Sequence, residues 1–384
     1  MITRDIAYIG VDDTDLDLFE SQYIIPNGIS YNSYLIKDEK IAIMDTADNR
    51  KIDEWLGNLR TALDGRTPDY LVVQHMEPDH AGCIAEILEE YPAIKIVASA
   101  RAIQMLPQFF EDKDFSQNTI AVKEGDTLSL GEHTLQFFMA PMVHWPEVMV
   151  TYDKKDKVVF SADGFGKFGA LSHEEDWACE ARRYYFNICG KYGGPVQALL
   201  KKLATLDVEC ICPLHGPILK ENLGYYIGLY DTWSKYDVET EGVFIAYASI
   251  HGGTAAVANV MAEILREKGA KKVAVADLSR DDMAEAIEDA FRMDKMIVAA
   301  ASYDGGVFPV MHDFLHHLQI KAYQKRRVGI IENGSWAPCA GRVMRGMLEQ
   351  MKDVEIAEPM VTILSRMKQS DRAALEALAD AILK

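Results

Sequence analysis

The sequence predicts an α/β protein of two domains, and three observations carry that prediction. At 384 residues the chain is longer than one ordinary domain. Up to about residue 240, strand-length apolar runs recur at irregular spacing among a few helical stretches, the pattern of sheets covered by helices. Beyond that point strands and helices alternate strictly, which implies a doubly wound parallel sheet. The boundary falls in the polar stretch 236–241, after an aromatic helix around Tyr225–Trp233, giving domains 1–240 and 241–384.

In the first domain the apolar runs are Ser33–Ile36, Ile41–Met44, Tyr70–Val73, Ile94–Ala98, Leu135–Phe138, Val148–Tyr152, Val158–Ser161 and Val208–Ile211. Several are close enough in sequence to pair as hairpins or meanders. Helical periodicity is confined to Ile52–Leu63, Ile84–Tyr91 and Trp177–Ala204. In the second domain the predicted strands are Gly242–Tyr247, Lys272–Ala276, Lys295–Ala300, Arg327–Ile331 and Val354–Val361. Each is followed by a helix: Ala255–Lys268, Asp282–Arg292, Val310–Ala322, Gly341–Met351 and Arg372–Leu383. Five βα units of this kind form a five-stranded parallel sheet.

The net charge of −19 argues against nucleic acid and anionic membrane as partners, because such a field repels phosphates. The longest apolar stretches are strand-length, so no membrane span is expected, and Met1–Gly10 lacks the pattern of a signal peptide. The cysteines Cys83, Cys179, Cys189, Cys210, Cys212 and Cys339 include no CxxC pair. They read as reduced thiols in a cytoplasmic protein, without an iron–sulfur or rubredoxin-like module.

The densest chemical signal is Gln74-His75-Met76-Glu77-Pro78-Asp79-His80, which begins where the run Tyr70–Val73 ends. Four potential ligands within six positions can wrap a metal pair, and no rule of core packing calls for four polar groups in one turn. His144, Asp163 and His215 each follow an apolar run as well, so all seven can converge on one edge of a sheet. Four histidines and three carboxylates exceed the needs of one zinc ion and suit two metals, with one carboxylate bridging and open positions for substrate. Mixed oxygen and imidazole ligands favour redox-active iron over a closed thiolate zinc site.

A second signal opens the other domain. Ser249-Ile250-His251-Gly252-Gly253-Thr254 runs from the first strand straight into a helix. Its hydroxyls and amides, with the helix dipole, suit a terminal phosphate, and the loop itself carries no Lys or Arg. Two further loops follow apolar strands: Ser302-Tyr303-Asp304-Gly305-Gly306 and Asn333-Gly334-Ser335-Trp336-Ala337. Small residues there let backbone approach a flat ring, and Tyr303 or Trp336 can stack on it. No G-x-G-x-x-G follows a strand, which weakens an NAD or FAD reading.

The metal segment resembles the metallo-β-lactamase superfamily, whose hydrolytic members typically carry His-x-His-x-Asp-His. Here Glu77 stands where the second His would be, and that variant, followed by His144, Asp163 and His215, is similar to the flavodiiron proteins. Ser30-Tyr31-Asn32-Ser33-Tyr34-Leu35-Ile36, His144-Trp145-Pro146 and Asp163-Gly164-Phe165-Gly166 resemble the same family. The three loops of the second domain resemble a flavodoxin domain that binds FMN, although Ala300-Ala301 stands where Ser-Pro is frequent.

The resemblance implies a metallo-β-lactamase-like αββα sandwich followed by a flavodoxin-like sheet, over essentially the whole chain. It implies one iron held by His75, Glu77 and His144, a second held by Asp79, His80 and His215, and Asp163 bridging. It further implies FMN, two non-haem irons per subunit, and reduction of O2 to water or of NO to N2O. Two electrons come from reduced FMN and two from a ferrous pair. Rubredoxin or a reduced soluble cofactor would be the donor, since no rubredoxin or flavin-reductase extension is seen. The expected assembly is a head-to-tail homodimer, possibly a dimer of dimers. A dinuclear zinc hydrolase carrying a flavodoxin module, and a non-catalytic carrier or gas sensor, are the alternatives.

Overall fold

The computed structural model describes residues 2–384, which divide into two compact units at Asp231/Thr232. In the first unit a six-stranded sheet takes its strands in chain order: Ile6–Tyr8, Tyr34–Lys37, Ile41–Met44, Tyr70–Val73, Lys95–Ser99 and Thr119–Val122. A five-stranded sheet follows, again in chain order: Thr127–Ser129, Thr134–Met139, Met149–Asp153, Val158–Phe160 and Cys210–Cys212. The sheets face each other across a common core. Tyr34, Ile36, Met44, Val72 and Val97 from the first meet Leu135, Phe137, Met149, Val158 and Phe160 from the second. Each such side chain removed from water contributes about 1.5–3 kcal/mol. The central strands are buried on both faces, which is why they read in the sequence as continuous apolar runs rather than alternations. The helix Ile52–Leu63 turns Trp55, Leu56, Leu59 and Leu63 inward. Gly193–Leu203 lies beside the second sheet, where Lys202 reaches the carbonyl of Met139. The arrangement is the αββα sandwich.

In the second unit Val273–Asp277, Thr240–Ala248, Met293–Tyr303 and Arg326–Asn333 lie side by side in that order, all parallel. The last strand comes in two pieces, Val354–Ile356 and Val361–Ile363, both beside Arg326–Asn333. The strand order is therefore 2-1-3-4-5, with its switch point between the first and third strands. One face is packed by the helices Gly253–Glu267 and Arg372–Ile382 through Val257, Met261, Leu375 and Leu378. On the other, Phe314 of Pro309–Ile320 meets Phe244. Among the described residues no helix is long and apolar enough to cross a membrane.

Three local expectations change. The predicted strand Val354–Val361 breaks because Pro359 has no N–H for the ladder. The predicted helix Trp177–Ala204 is two helices, Trp177–Ile188 and Gly193–Leu203, with a short turn of 3-10 helix at Gly190–Tyr192. Gly190, Gly193, Gly194 and Pro195 are poor helix formers packed into six positions. The helix Ala100–Phe109 was not predicted, since Pro107 sits inside it; Ser99 caps it by accepting from the Ala102 N–H.

Candidate metal centre and cofactor pocket

The strand Tyr70–Val73 delivers Gln74 and His75 to the sheet edge. Glu77 then precedes a single helical turn, Pro78–Ala81, that carries Asp79 and His80 with Pro78 as its first residue. His144 follows the strand Thr134–Met139, Asp163 follows Val158–Phe160, and His215 follows Cys210–Cys212. These seven side chains gather into two adjoining groups.

In the first group His75 Nε2 and His144 Nε2 lie 3.1 and 3.0 Å from Glu77 Oε2. The same nitrogens lie 3.1 and 3.2 Å from Asp163 Oδ2. In the second, His80 Nε2 and His215 Nε2 are 3.1 Å apart and each is 3.2 Å from Asp79 Oδ2. Asp163 Oδ1 lies 3.2 Å from His80 Nε2 and 3.8 Å from His215 Nε2. Asp163 thus offers one oxygen to each group. Ligands at right angles about an ion with bonds of about 2.2 Å stand about 3.1 Å apart, so the spacing is that of two coordination shells sharing an edge residue.

The chemistry of the donors fits cations as well as the distances do. Asp79 and Asp163 are buried, yet none of their four carboxylate oxygens accepts a hydrogen bond. Buried carboxylates left so are costly unless a positive charge meets them. Burial opposes ionisation of Asp163, but His75, His144 and His80 around it hold its pKa well below the usual range. Burial together with the charges of Glu77 and Asp163 pushes Asp79 up to about 7. Against the effect of its own burial, His144 is raised to about 9 by Asp163 and Glu77.

Glu147, Phe19 and Tyr184 support the centre without having given a local signal, and Ser30 and Trp145 join them from segments that the resemblance singled out. Glu147 Oε1 accepts from His75 Nδ1 at 2.8 Å and from the Met76 N–H at 2.9 Å. The Ser30 carbonyl accepts from His215 Nδ1 at 2.7 Å. Each fixes a ring so that Nε2 faces the cluster. Phe19 stands edge-on to His215 at 5.4 Å and Tyr184 lies 5.6 Å from the same ring. Trp145 stands perpendicular to His75 at 5.2 Å. Of the residues the sequence offers as candidates to stand near the open site, Tyr23, Trp145 and His173, Tyr23 sends its hydroxyl to the Asn187 carbonyl and His173 is exposed beside Ser172.

The second unit contains a cavity of about 640 Å³ at the switch point. Its lining takes in the phosphate-loop residues Ser249, Ile250, His251, Gly253 and Thr254, then Ser302–Gly305 and Asn333–Ala337. Gly252 and Gly306 shape the loops without lining the cavity. Gly252 takes φ 82° ahead of the helix Gly253–Glu267, and Gly306 pairs with Tyr303 in a small hairpin that extends the third strand. A Cβ at Gly253 would lie 2.5 Å from the Ser365 carbonyl oxygen, so only glycine fits there. Ser302 Oγ accepts from the N–H groups of Cys339 and Ala340 at the start of the helix Ala340–Leu348, tying two loops together. Trp336 is 92% exposed on the rim. Ala301, Cys339, Ser365 and Arg366 also line the cavity and were not predicted. The volume and the small, hydroxyl-rich lining fit a mononucleotide carrying a flat ring.

Comparison with known proteins agrees with this geometry. Residues 29–216 match the family described as ODP family beta lactamase. An uncharacterized protein of Methanocaldococcus jannaschii is 31% identical over 361 residues, 91% of this chain and 89% of that protein. The anaerobic nitric oxide reductase flavorubredoxin of Escherichia coli is 28% identical over 88% of this chain and 72% of its own length. The structure of rubredoxin oxygen:oxidoreductase from Desulfovibrio gigas superposes with TM-score 0.93 at 26% identity, covering 100% of this chain and 97% of that one. The flavodiiron protein from Giardia intestinalis shares the fold at TM-score 0.91 and 22% identity, over 99% of this chain and 95% of that one. The chain belongs to the flavodiiron protein family and is an oxidoreductase.

Proposed function

We propose that the chain reduces O2 to water, NO to N2O, or both, at a di-iron centre served by FMN. The observation that carries this reading is Asp163, whose two oxygens face two separate ligand groups, one of them completed by Glu77. His75, Glu77 and His144 would hold one iron, Asp79, His80 and His215 the other, and Asp163 would offer an oxygen to each. FMN would occupy the cavity formed by the loops at 249–254, 302–306 and 333–337. When bound, these groups supply the electrons: four for O2 to two waters, or two for the coupling of two NO molecules to N2O and water. The protein's part is placement. Glu147 and the Ser30 carbonyl orient two of the imidazoles, and the rings of Phe19, Tyr184 and Trp145 wall the centre against water.

A separate donor of the rubredoxin type, or a reduced soluble cofactor, would feed the flavin. The names of the D. gigas and E. coli proteins support that class of partner. We further propose a head-to-tail homodimer acting in the cytoplasm, where six cysteines outside any disulfide stay reduced. A dinuclear zinc hydrolase is not favoured, because Glu77 stands where hydrolases carry a histidine. The test is metal and flavin analysis of the purified protein, followed by stopped-flow mixing of the fully reduced protein with O2 or NO. Flavin and iron should reoxidise together within one turnover. Zinc with thioesterase activity, or slow reoxidation of the flavin alone, would overturn the reading.

A further inference from the structure

Among the described residues lining the flavin cavity, Arg366 brings the one full positive charge. It comes from none of the three loops that the sequence singles out. It follows the last strand segment, Val361–Ile363, in a turn where Ser365 takes φ 64°. That turn is pinned against the phosphate loop. The Ser365 carbonyl accepts from Asn333 Nδ2 at 3.0 Å, and the same amide reaches Thr254 Oγ1 at 3.3 Å. The close approach of Gly253 to that carbonyl leaves no room for a side chain between the two segments. The residue after Ser365 therefore emerges beside the N-terminus of the helix Gly253–Glu267.

Arg366 is exposed and makes no ion pair with a described carboxylate, whereas Arg327, Arg345 and Arg372 meet Glu355, Glu358 and Glu267. The loop 249–254 carries no Lys or Arg, so a phosphate there meets only amides, hydroxyls and a helix dipole. In a chain of net charge −19, the second charge of a phosphate dianion is left uncompensated by that loop.

We infer that Arg366 is the counter-ion of the cofactor's terminal phosphate, and thereby the residue through which this pocket selects FMN over riboflavin, the same ring system without phosphate. The inference rests on the cavity being the FMN site. A guanidinium fork matches phosphate oxygens in geometry and keeps its charge at any working pH. At an exposed rim, water and salt screen the pair, so its effect is about tenfold rather than thousandfold.

The test uses full-length, iron-loaded protein from which flavin has been removed, titrated with FMN and with riboflavin. Wild type, R366Q and R366K are compared at low and high salt. R366Q should weaken FMN about tenfold and riboflavin less than twofold, R366K should regain part of the loss, and salt should narrow the gap between wild type and R366Q. Equal weakening of both ligands would make Arg366 a ring contact and overturn the inference, as would unchanged FMN affinity. Wild-type protein that binds FMN and riboflavin equally would overturn it too. Wild-type protein that binds neither would overturn the cavity assignment itself.

Discussion

Replacing Glu147 by Gln removes a charge from behind the metal centre while preserving its shape. Glu147 Oε1 accepts from both His75 Nδ1, at 2.8 Å, and the Met76 N–H, at 2.9 Å, and the side chain is fully buried. A Gln oxygen can accept both bonds, so the ring stays in place and only the basicity of its Nε2 falls. Loss of such an outer partner typically lowers metal affinity about 10- to 100-fold, or about 1.4–2.7 kcal/mol. His75 belongs to one ligand group only, so the loss should fall on one of two ions. Chelator competition against the iron-loaded protein, with occupancy read by mass spectrometry, should resolve one site at wild-type affinity and one weakened. E147A should behave worse, since it also orphans two buried donors at about 1–3 kcal/mol each, visible as a lower Tm. Equal weakening of both ions in E147Q, or no weakening of either, would refute the division of ligands between two centres.

Further outcomes follow from other parts of the chain. G253A places a methyl group 2.5 Å from the Ser365 carbonyl oxygen and should cost about 1–3 kcal/mol together with most of the bound flavin, measured by Tm and by absorbance of the purified protein. Arg326 is buried and donates to the carbonyls of Tyr236, Gln324, Lys325, Asp237 and Phe291. R326A should destabilise the second unit by about 3 kcal/mol or more in urea unfolding, and a change below about 1 kcal/mol would count against it. His133 is buried with Nδ1 3.0 Å from Asp153 Oδ2; burial disfavours its charge, but Asp153 outweighs this and raises its pKa above 6.5. A raised folded pKa stabilises fully below the unfolded value and fades as pH climbs through the folded one. H133Q should therefore lower Tm more at about pH 6 than at about pH 9, and an equal loss at both would refute the pairing.

Much of the fold was legible because its signals are local. Strands buried on both faces leave continuous apolar runs, and alternation of such runs with amphipathic helices marks a doubly wound sheet. The exceptions were local competitions that tertiary packing settled: Pro359 splitting the last strand, glycines dividing Trp177–Ala204, and Pro107 sitting inside a helix that formed regardless. The seven clustered side chains were legible for a related reason. His75, Glu77, Asp79 and His80 crowd one turn, and His144, Asp163 and His215 each stand just beyond a recognisable strand.

By itself, then, the sequence determined the two-domain α/β architecture, the residue types that gather at the two clusters and the small, hydroxyl-bearing make-up of the loop after the first strand of the second unit. All of these are written in residue type and short-range spacing. Only the tertiary structure decided what meets what across long separations. Glu147 lies 72 residues from His75, and the Ser30 carbonyl 185 residues from His215. Asp163 divides its two oxygens between two groups because sheet packing sets its place, which no spacing encodes. Arg366 reaches the cavity at the switch point for the same reason: parallel strands bring their ends to one edge, and the chain's order gives no hint of which loops will be neighbours there.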